Sequence, residues 1–271
     1  MQAWLDGQPG EALGLKSRGL AYGDGVFETI AVRNGQAVLL DRHLTRVALG
    51  CQRLAIVAEL AVLRDEVVRY AAALGQGVLK LIVTRGDSAR GYAADPQAAA
   101  RRILQGSPSP AYPQTHRAQG VELYPCSTRL AEQPLLAGLK HLNRLEQVLA
   151  RAEWSDPAFA EGLMLDVSGR LVEGVYSNLF LVVDGVLHTP ALHRCGVAGV
   201  MRAELLEQAA TLGLQVSVGD LWPADLARAD EVLVCNSVYG VWPVRAFTSL
   251  RWSPGPLTRK LQGIAHALLD A

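Results

Sequence analysis

Four lysines stand against 22 arginines in the 271-residue chain, so any chemistry that needs an amine has four candidates: Lys16, Lys80, Lys140 and Lys260. Lys140 lies in Ala137-Gly138-Leu139-Lys140-His141-Leu142-Asn143-Arg144-Leu145-Glu146, which reads as a glycine-containing loop leading into a helix. A cation is disfavoured near a helix N-terminus, and positive neighbours such as His141 and Arg144 lower an amine's pKa. Both conditions suit a Schiff-base nucleophile, while the plain alternative is a solvated lysine. Lys16 and Lys260 sit in polar terminal segments. Lys80, inside the apolar run Val78–Val83, is the competitor; at a sheet edge with its stem packed it would be structural.

Two further groups could serve a phosphorylated, nitrogen-containing ring. Glu173 stands between Arg170-Leu171-Val172 and Gly174-Val175-Tyr176-Ser177-Asn178-Leu179-Phe180. A carboxylate between a strand and a glycine turn can hold a protonated pyridine nitrogen, or can be an exposed loop glutamate. Gly196-Val197-Ala198-Gly199-Val200-Met201-Arg202 is a glycine-spaced turn opening a helix, whose first amides suit a phosphate. It lacks the Gly-Lys-Ser/Thr ending of a Walker loop. Arg46 lies off the apolar face of its own helix, where it can reach a phosphate or water.

The elements that must position these groups follow from the pattern. Val26–Val32 and Ala37–Leu40 form a hairpin about Asn34-Gly35. A helix capped by Asp41 buries Leu44, Val47, Ala48, Cys51 and Leu54, and a second runs from Leu63 to about Leu74, stopped by Gly75. Strands are expected at Val78–Thr84, Arg102–Gln105, Val121–Tyr124 and Glu231–Cys235, and helices at about Leu142–Trp154, Met201–Leu212 and Leu257–Leu268. Hairpins turn at Ser168-Gly169 and Asp184-Gly185. Gly106–Pro113, rich in serine and proline, can be neither helix nor central strand. The chain therefore divides into an α/β N-terminal domain (1–106), an interdomain linker (107–115) and a larger, hairpin-rich C-terminal domain (116–271).

Composition narrows the class. Half the residues are hydrophobic, 19% are charged and the net charge is zero, which argues against a nucleic-acid surface or a polybasic membrane anchor. No apolar run approaches the ~20 residues that span a bilayer. The N-terminus lacks the basic and apolar regions of a signal peptide. Cys51, Cys126, Cys195 and Cys235 have no ligand spacing, so reduced thiols, a cytoplasmic location and no metal are expected.

The succession Tyr22-Gly23-Asp24-Gly25-Val26-Phe27-Glu28-Thr29, His43-Leu44-Thr45-Arg46, Lys140, Glu173 with Ser177-Asn178-Leu179-Phe180, and Gly196–Arg202 resembles the fold-type IV pyridoxal phosphate enzymes. Branched-chain and D-amino-acid aminotransferases and aminodeoxychorismate lyases make up that family, and the likeness spans nearly the whole chain. Gly138–Leu149, Gly77–Gly86, Arg90-Gly91-Tyr92, Cys235-Asn236 and Pro243-Val244 are most similar to the lyase branch. That resemblance implies a two-domain α/β (α+β) fold with a hairpin-rich sheet or barrel, a homodimer, and a small-molecule substrate, 4-amino-4-deoxychorismate, converted to 4-aminobenzoate and pyruvate in folate biosynthesis. It also implies roles: Lys140 attaches pyridoxal 5'-phosphate, Glu173 meets its ring nitrogen, and Arg46, the Val200 and Met201 amides and the Ser237 hydroxyl hold its phosphate. Asn143-Arg144 stands where the aminotransferases place a tyrosine near the cofactor's phenolic oxygen, which leaves that contact open and argues against a standard transaminase; Asn143 counts among the cofactor-binding candidates. Arg90, then Arg85 and Arg18, are candidates for the substrate's two carboxylates, and Thr29 for positioning it. A branched-chain or D-amino-acid aminotransferase is the alternative enzyme, and a cofactor-free binding protein the non-catalytic one.

Overall fold

The computed structural model describes residues 2–270; Met1 and Ala271, which end the two expected domains, lie outside the described residues. Contacts group the chain into two units. The first holds the chain through Pro110 together with Leu139–Asn143, and the second holds Ala111–Gly138 and Arg144–Asp270.

In the first unit β1 (Trp4–Leu5), β2 (Gln8–Pro9), β3 (Gly25–Arg33), β4 (Gln36–Ala37), β5 (Gly77–Thr84) and β6 (Arg101–Ser107) form one sheet in the order β2-β1-β6-β5-β3-β4. Helices α1 (Arg18–Tyr22), α2 (Leu40–Arg53) and α3 (Leu60–Leu74) complete it. Alternation along β3 sends Val26, Ile30 and Val32 into a core shared with Leu44, Val47 and Cys51 of α2 and Leu63, Val67 and Tyr70 of α3. Phe27 and Thr29 occupy the other face, Thr29 opposite Lys80 in register. The Asn34-Gly35 turn forms as expected, with both residues at positive φ. The second arm is shorter than expected, because the chain enters α2 at Leu40. Asp41 is therefore not the cap. Leu39, at φ 54°, precedes the helix, and Asp41 sits in its first turn bonded to Arg64. Lys80 also differs from its edge assignment: β5 lies between β3 and β6, and the lysine stands on that interior strand's exposed face.

The second unit begins with α4 (Gln114–Ala118), β7 (Val121–Leu130) and α5 (Leu145–Arg151). It continues through β8 (Phe159–Asp166), β9 (Leu171–Gly174), β10 (Asn178–Val183), β11 (Val186–Pro190), α6 (Val200–Thr211), β12 (Val216–Gly219) and α7 (Pro223–Arg228). It ends with β13 (Glu231–Asn236), β14 (Gly240–Phe247), β15 (Leu250–Arg251) and α8 (Pro256–Leu269). Strands pair in the order β12-β11-β10-β13-β14-β7-β8-β9, and β9 also pairs with β10. That last pairing closes β10-β13-β14-β7-β8-β9 into a six-stranded barrel, as the hairpin-rich reading anticipated. The closing ladder is a single residue pair, Glu173 opposite Asn178. Leu123, Leu163, Leu179, Leu181, Val234 and Val244 belong to its core. β14 was not foreseen, because Pro243 argues against an interior strand. Its ladder with β7 starts only at Val244, so the proline's missing N–H is not needed on that side.

Candidate active site

Lys140 does not open a helix. The residues after it run extended: the Lys140 carbonyl accepts from the Phe27 amide at 2.9 Å, and the Leu142 amide donates to the Gly25 carbonyl at 3.0 Å. His141 forms a bridge with Val26 between them. The segment thus adds to the edge of β3 that β5 leaves open, and α5 starts five residues on, at Leu145, rather than at Leu142. The helix-dipole argument for a lowered amine pKa falls away. Lys140 Nζ stands 4.4 Å from the Phe27 ring centroid and Lys80 Nζ 5.4 Å from the same centroid. Asn143 Nδ2 donates to the Gly23 carbonyl at 3.1 Å.

On the opposite face of β3 lies a buried ion cluster. Arg46 Nε and a terminal nitrogen bind Glu28 Oε1 and Oε2 at 2.7 and 2.5 Å, and His43 Nδ1 lies 2.6 Å from Glu28 Oε2. A carboxylate only accepts, so Nδ1 carries the proton. Burial opposes the Glu28 charge, but Arg46 and His43 outweigh it and hold the carboxyl at about 2. Burial pushes the His43 imidazole down, towards its neutral form. Sequence reading placed Arg46 at a phosphate and did not foresee the fork to Glu28. The available signal was an acid on the apolar face of a strand.

In the second unit Glu173 is the third of the four residues of β9 and is buried. The Val197 amide donates to its Oε2 at 2.8 Å, and Asn178 Nδ2 reaches the same oxygen at 3.5 Å and the Val197 carbonyl at 2.9 Å. The glycine turn is therefore fastened to Glu173. Gly196 has φ 81°, and a Cβ there would lie 2.7 Å from Val172 Cγ1. At Gly199 a Cβ would overlap Asn178 Oδ1, so only glycine fits. Gly138 joins the same turn by two backbone bonds, to Gly196 and Ala198, at 2.9 and 3.0 Å. Gly138 precedes Lys140 by two positions in the chain.

Helix α6 begins at Val200 with Gly199 before it, no side-chain cap and no acid in its first turn. Its first amides have no acceptor within the helix, which is the condition for holding an anion. Arg202, in that turn, donates to Thr189 Oγ1 (3.1 Å) and the Pro190 carbonyl (3.0 Å). Ser237 lies in the turn joining β13 to β14, and Cys235, two residues before it, pairs with Asn178. Glu173, the α6 start and the Ser237 turn thus gather around Asn178.

The three arginines considered for carboxylates differ. Arg18 is buried and donates to Asp24, to Ser88 Oγ and to the carbonyls of Gly91 and Tyr92 at 2.8–3.1 Å. Arg85 forks onto Asp24 at 2.7 and 3.1 Å and also donates to the Leu54 and Ala55 carbonyls. Burial opposes the Asp24 charge, yet the two arginines lower its pKa. Arg90 is exposed, on the loop that Arg18 holds.

Among the described residues no group of three or more His, Cys, Asp or Glu is placed to hold a metal, and no helix is long and apolar enough to cross a membrane. All four cysteines are buried and unbridged.

Comparison with known proteins bears on this arrangement. The chain is 37% identical over 274 residues to the aminodeoxychorismate lyase of Vibrio harveyi, covering 96% of this chain and 98% of that protein. The crystal structure of 4-amino-4-deoxychorismate lyase from Pseudomonas aeruginosa superposes with a TM-score of 0.97 at 62% identity, over 99% of this chain and all of that one. The Escherichia coli branched-chain amino acid aminotransferase shares the fold at 24% identity and a TM-score of 0.85, over 99% and 94% of the two chains. Residues 25–247 match the family model for amino-transferase class IV, and the chain belongs to that family.

Proposed function

We propose that the protein is a pyridoxal 5'-phosphate-dependent lyase that converts 4-amino-4-deoxychorismate to 4-aminobenzoate and pyruvate, a step of folate biosynthesis. The 62% identity and near-complete superposition with the Pseudomonas aeruginosa lyase carry the reading. The side chains fit the cofactor. A lysine amine lies over an aromatic ring, a buried carboxylate is fixed by an amide, and a glycine cradle that a Cβ would fill leads into a helix start without acids.

In this reading Lys140 attaches the cofactor, Glu173 meets its ring nitrogen, and the Val200 and Met201 amides, Arg46 and Ser237 hold its phosphate. Asn143 is a further cofactor-binding candidate. When bound, the cofactor supplies a protonated ring that accepts an electron pair from the substrate. Once the substrate amine has taken its place, Lys140 is a base for the proton on the carbon bearing that nitrogen. The C–O bond to the enolpyruvyl group breaks as the ring becomes aromatic, and Lys140 returns a proton to the departing group, giving pyruvate. Arg90 leads the candidates for the substrate carboxylates, followed by Arg85 and Arg18 behind their bonds to Asp24, with Thr29 positioning the substrate.

A cytoplasmic homodimer with domains at 1–106 and 116–271 about the 107–115 linker belongs to the same proposal. Leu145, Val148 and Leu149 of α5, with Leu135, are exposed apolar side chains of the kind a second copy covers. Borohydride reduction followed by peptide mapping tests the attachment: one adduct, on Lys140, is expected, and an adduct on Lys80 or none contradicts it. Incubation with branched-chain or D-amino acids separates the aminotransferase alternative, which would convert the cofactor to its pyridoxamine form.

A further inference from the structure

Glu161 lies on β8 and is fully buried, yet the proposed chemistry leaves it without a task. Its Oε1 accepts from the amides of Gly162 (2.8 Å) and Val175 (3.0 Å), and its Oε2 from the Ser177 hydroxyl (2.7 Å) and the Tyr176 amide (3.4 Å). Three of these four donors belong to residues 175–177, the stretch joining β9 to β10. The barrel closes there through one ladder pair, Glu173 with Asn178. Beyond that pair the Gly174 amide donates to the Ser177 carbonyl at 2.7 Å and the Val175 amide to the Gly162 carbonyl at 3.0 Å; a closure this short is weak, and the carboxylate adds acceptors to it. Gly174 permits this approach, since a Cβ there would lie 2.8 Å from Glu161 Cδ.

The two ends of the connection are the residues that hold the glycine turn. Glu173 accepts from the Val197 amide, and Asn178 donates to the Val197 carbonyl. A shift of the connection would move both together, and α6 begins three residues beyond Val197. The donors on Glu161 are three amides and a hydroxyl, and burial pushes its carboxyl up to about 7 against them. Such a group contributes acceptor geometry more than charge.

We propose that Glu161 is a positioning residue, holding the 174–177 connection so that Glu173 and Asn178 keep their places for the cofactor ring and the glycine turn. This rests on the pyridoxal phosphate reading above. Glu161→Gln keeps an acceptor for Gly162 and Val175 and removes the one facing Tyr176 and Ser177, while Ser177→Ala removes a single donor. The experiment titrates wild-type and variant apoproteins with pyridoxal phosphate, following visible absorbance, and then records the bound cofactor's absorbance across pH. Roughly tenfold weaker binding and a displaced pH midpoint are expected for Glu161→Gln, the range usual for groups that orient a ligand's direct partners. Ser177→Ala should move both readouts the same way by less, and the double variant should fall short of the sum. Lower thermal stability with wild-type affinity and spectrum in both variants would overturn the proposal. Should Glu161→Gln fail to fold, wild-type affinity and spectrum in Ser177→Ala would do the same. A wild-type protein that takes up no cofactor would remove the underlying reading instead, which is a separate outcome.

Discussion

In the first unit Glu28 is buried against a guanidinium and an imidazole, whereas in the barrel Glu161 is buried against amides and one hydroxyl. Depth of burial is alike, and the outcome is opposite: one carboxyl is held at about 2 and the other is pushed up to about 7. What differs is the partner. A nearby cation outweighs desolvation, while dipoles offset only part of it. Each arrangement suits its place. Glu28 fixes the fork of an arginine on α2, on the face of β3 opposite Phe27 and Lys140, so charge is what it contributes. Glu161 fixes backbone where the barrel ladder is a single pair, so directed acceptors are what it contributes.

The largest effect expected lies on the cation-rich face. Lys140→Ala should cost roughly 10³-fold or more in turnover, since the attachment point and the proton carrier go together. Retained pyruvate production in that variant would shift the chemistry to Lys80. Glu28→Gln should come next, at about 3 kcal/mol of unfolding free energy, because it takes the charge partner from a half-buried guanidinium. Glu161→Gln should cost less, about 1–3 kcal/mol, as it removes hydrogen bonds without stranding a charge. Urea unfolding of both variants orders the pair, and equal losses would break the comparison.

The pH dependence sharpens it further. Glu28 has a depressed folded pKa, so its stabilisation is present above its ordinary value of 4.5 and is lost as pH falls towards about 2. Glu161 has a raised one, so the folded state favours its protonated form and stability declines as pH rises from 4.5 to about 7. Differences between wild type and each Gln variant should therefore slope in opposite directions, within separate pH windows. Slopes of one sign would contradict the assignment. The smallest effect expected is at Arg90: Arg90→Ala should raise the substrate KM about tenfold with cofactor absorbance unchanged, the scale of one exposed charged contact. An unchanged KM would remove Arg90 from the carboxylate candidates.

Local features were legible in the sequence where one stretch of chain decides them. Asn34-Gly35 dictates its turn, and the spacing Gly196–Gly199 announces a helix start within a residue of where it lies. The succession from Tyr22 to Arg202 carries the family resemblance, and His141 to Leu149 the likeness to its lyase branch. What the sequence hid depends on partners far along the chain. Lys140 reads as a helix opening until β3, more than a hundred residues earlier, takes its carbonyl. Glu161 reads as an ordinary polar position in a strand, because its donors lie on the connection between two later strands. Residues 240–247 carry Pro243, and the late start of the β7 ladder at Val244 accommodates it in β14.

The most direct test of the account is to supply the cofactor-loaded protein with enzymatically generated 4-amino-4-deoxychorismate and to follow pyruvate together with 4-aminobenzoate. Equal amounts of both products, absent with Lys140→Ala, are the expected result; a fully loaded protein that releases neither would contradict it.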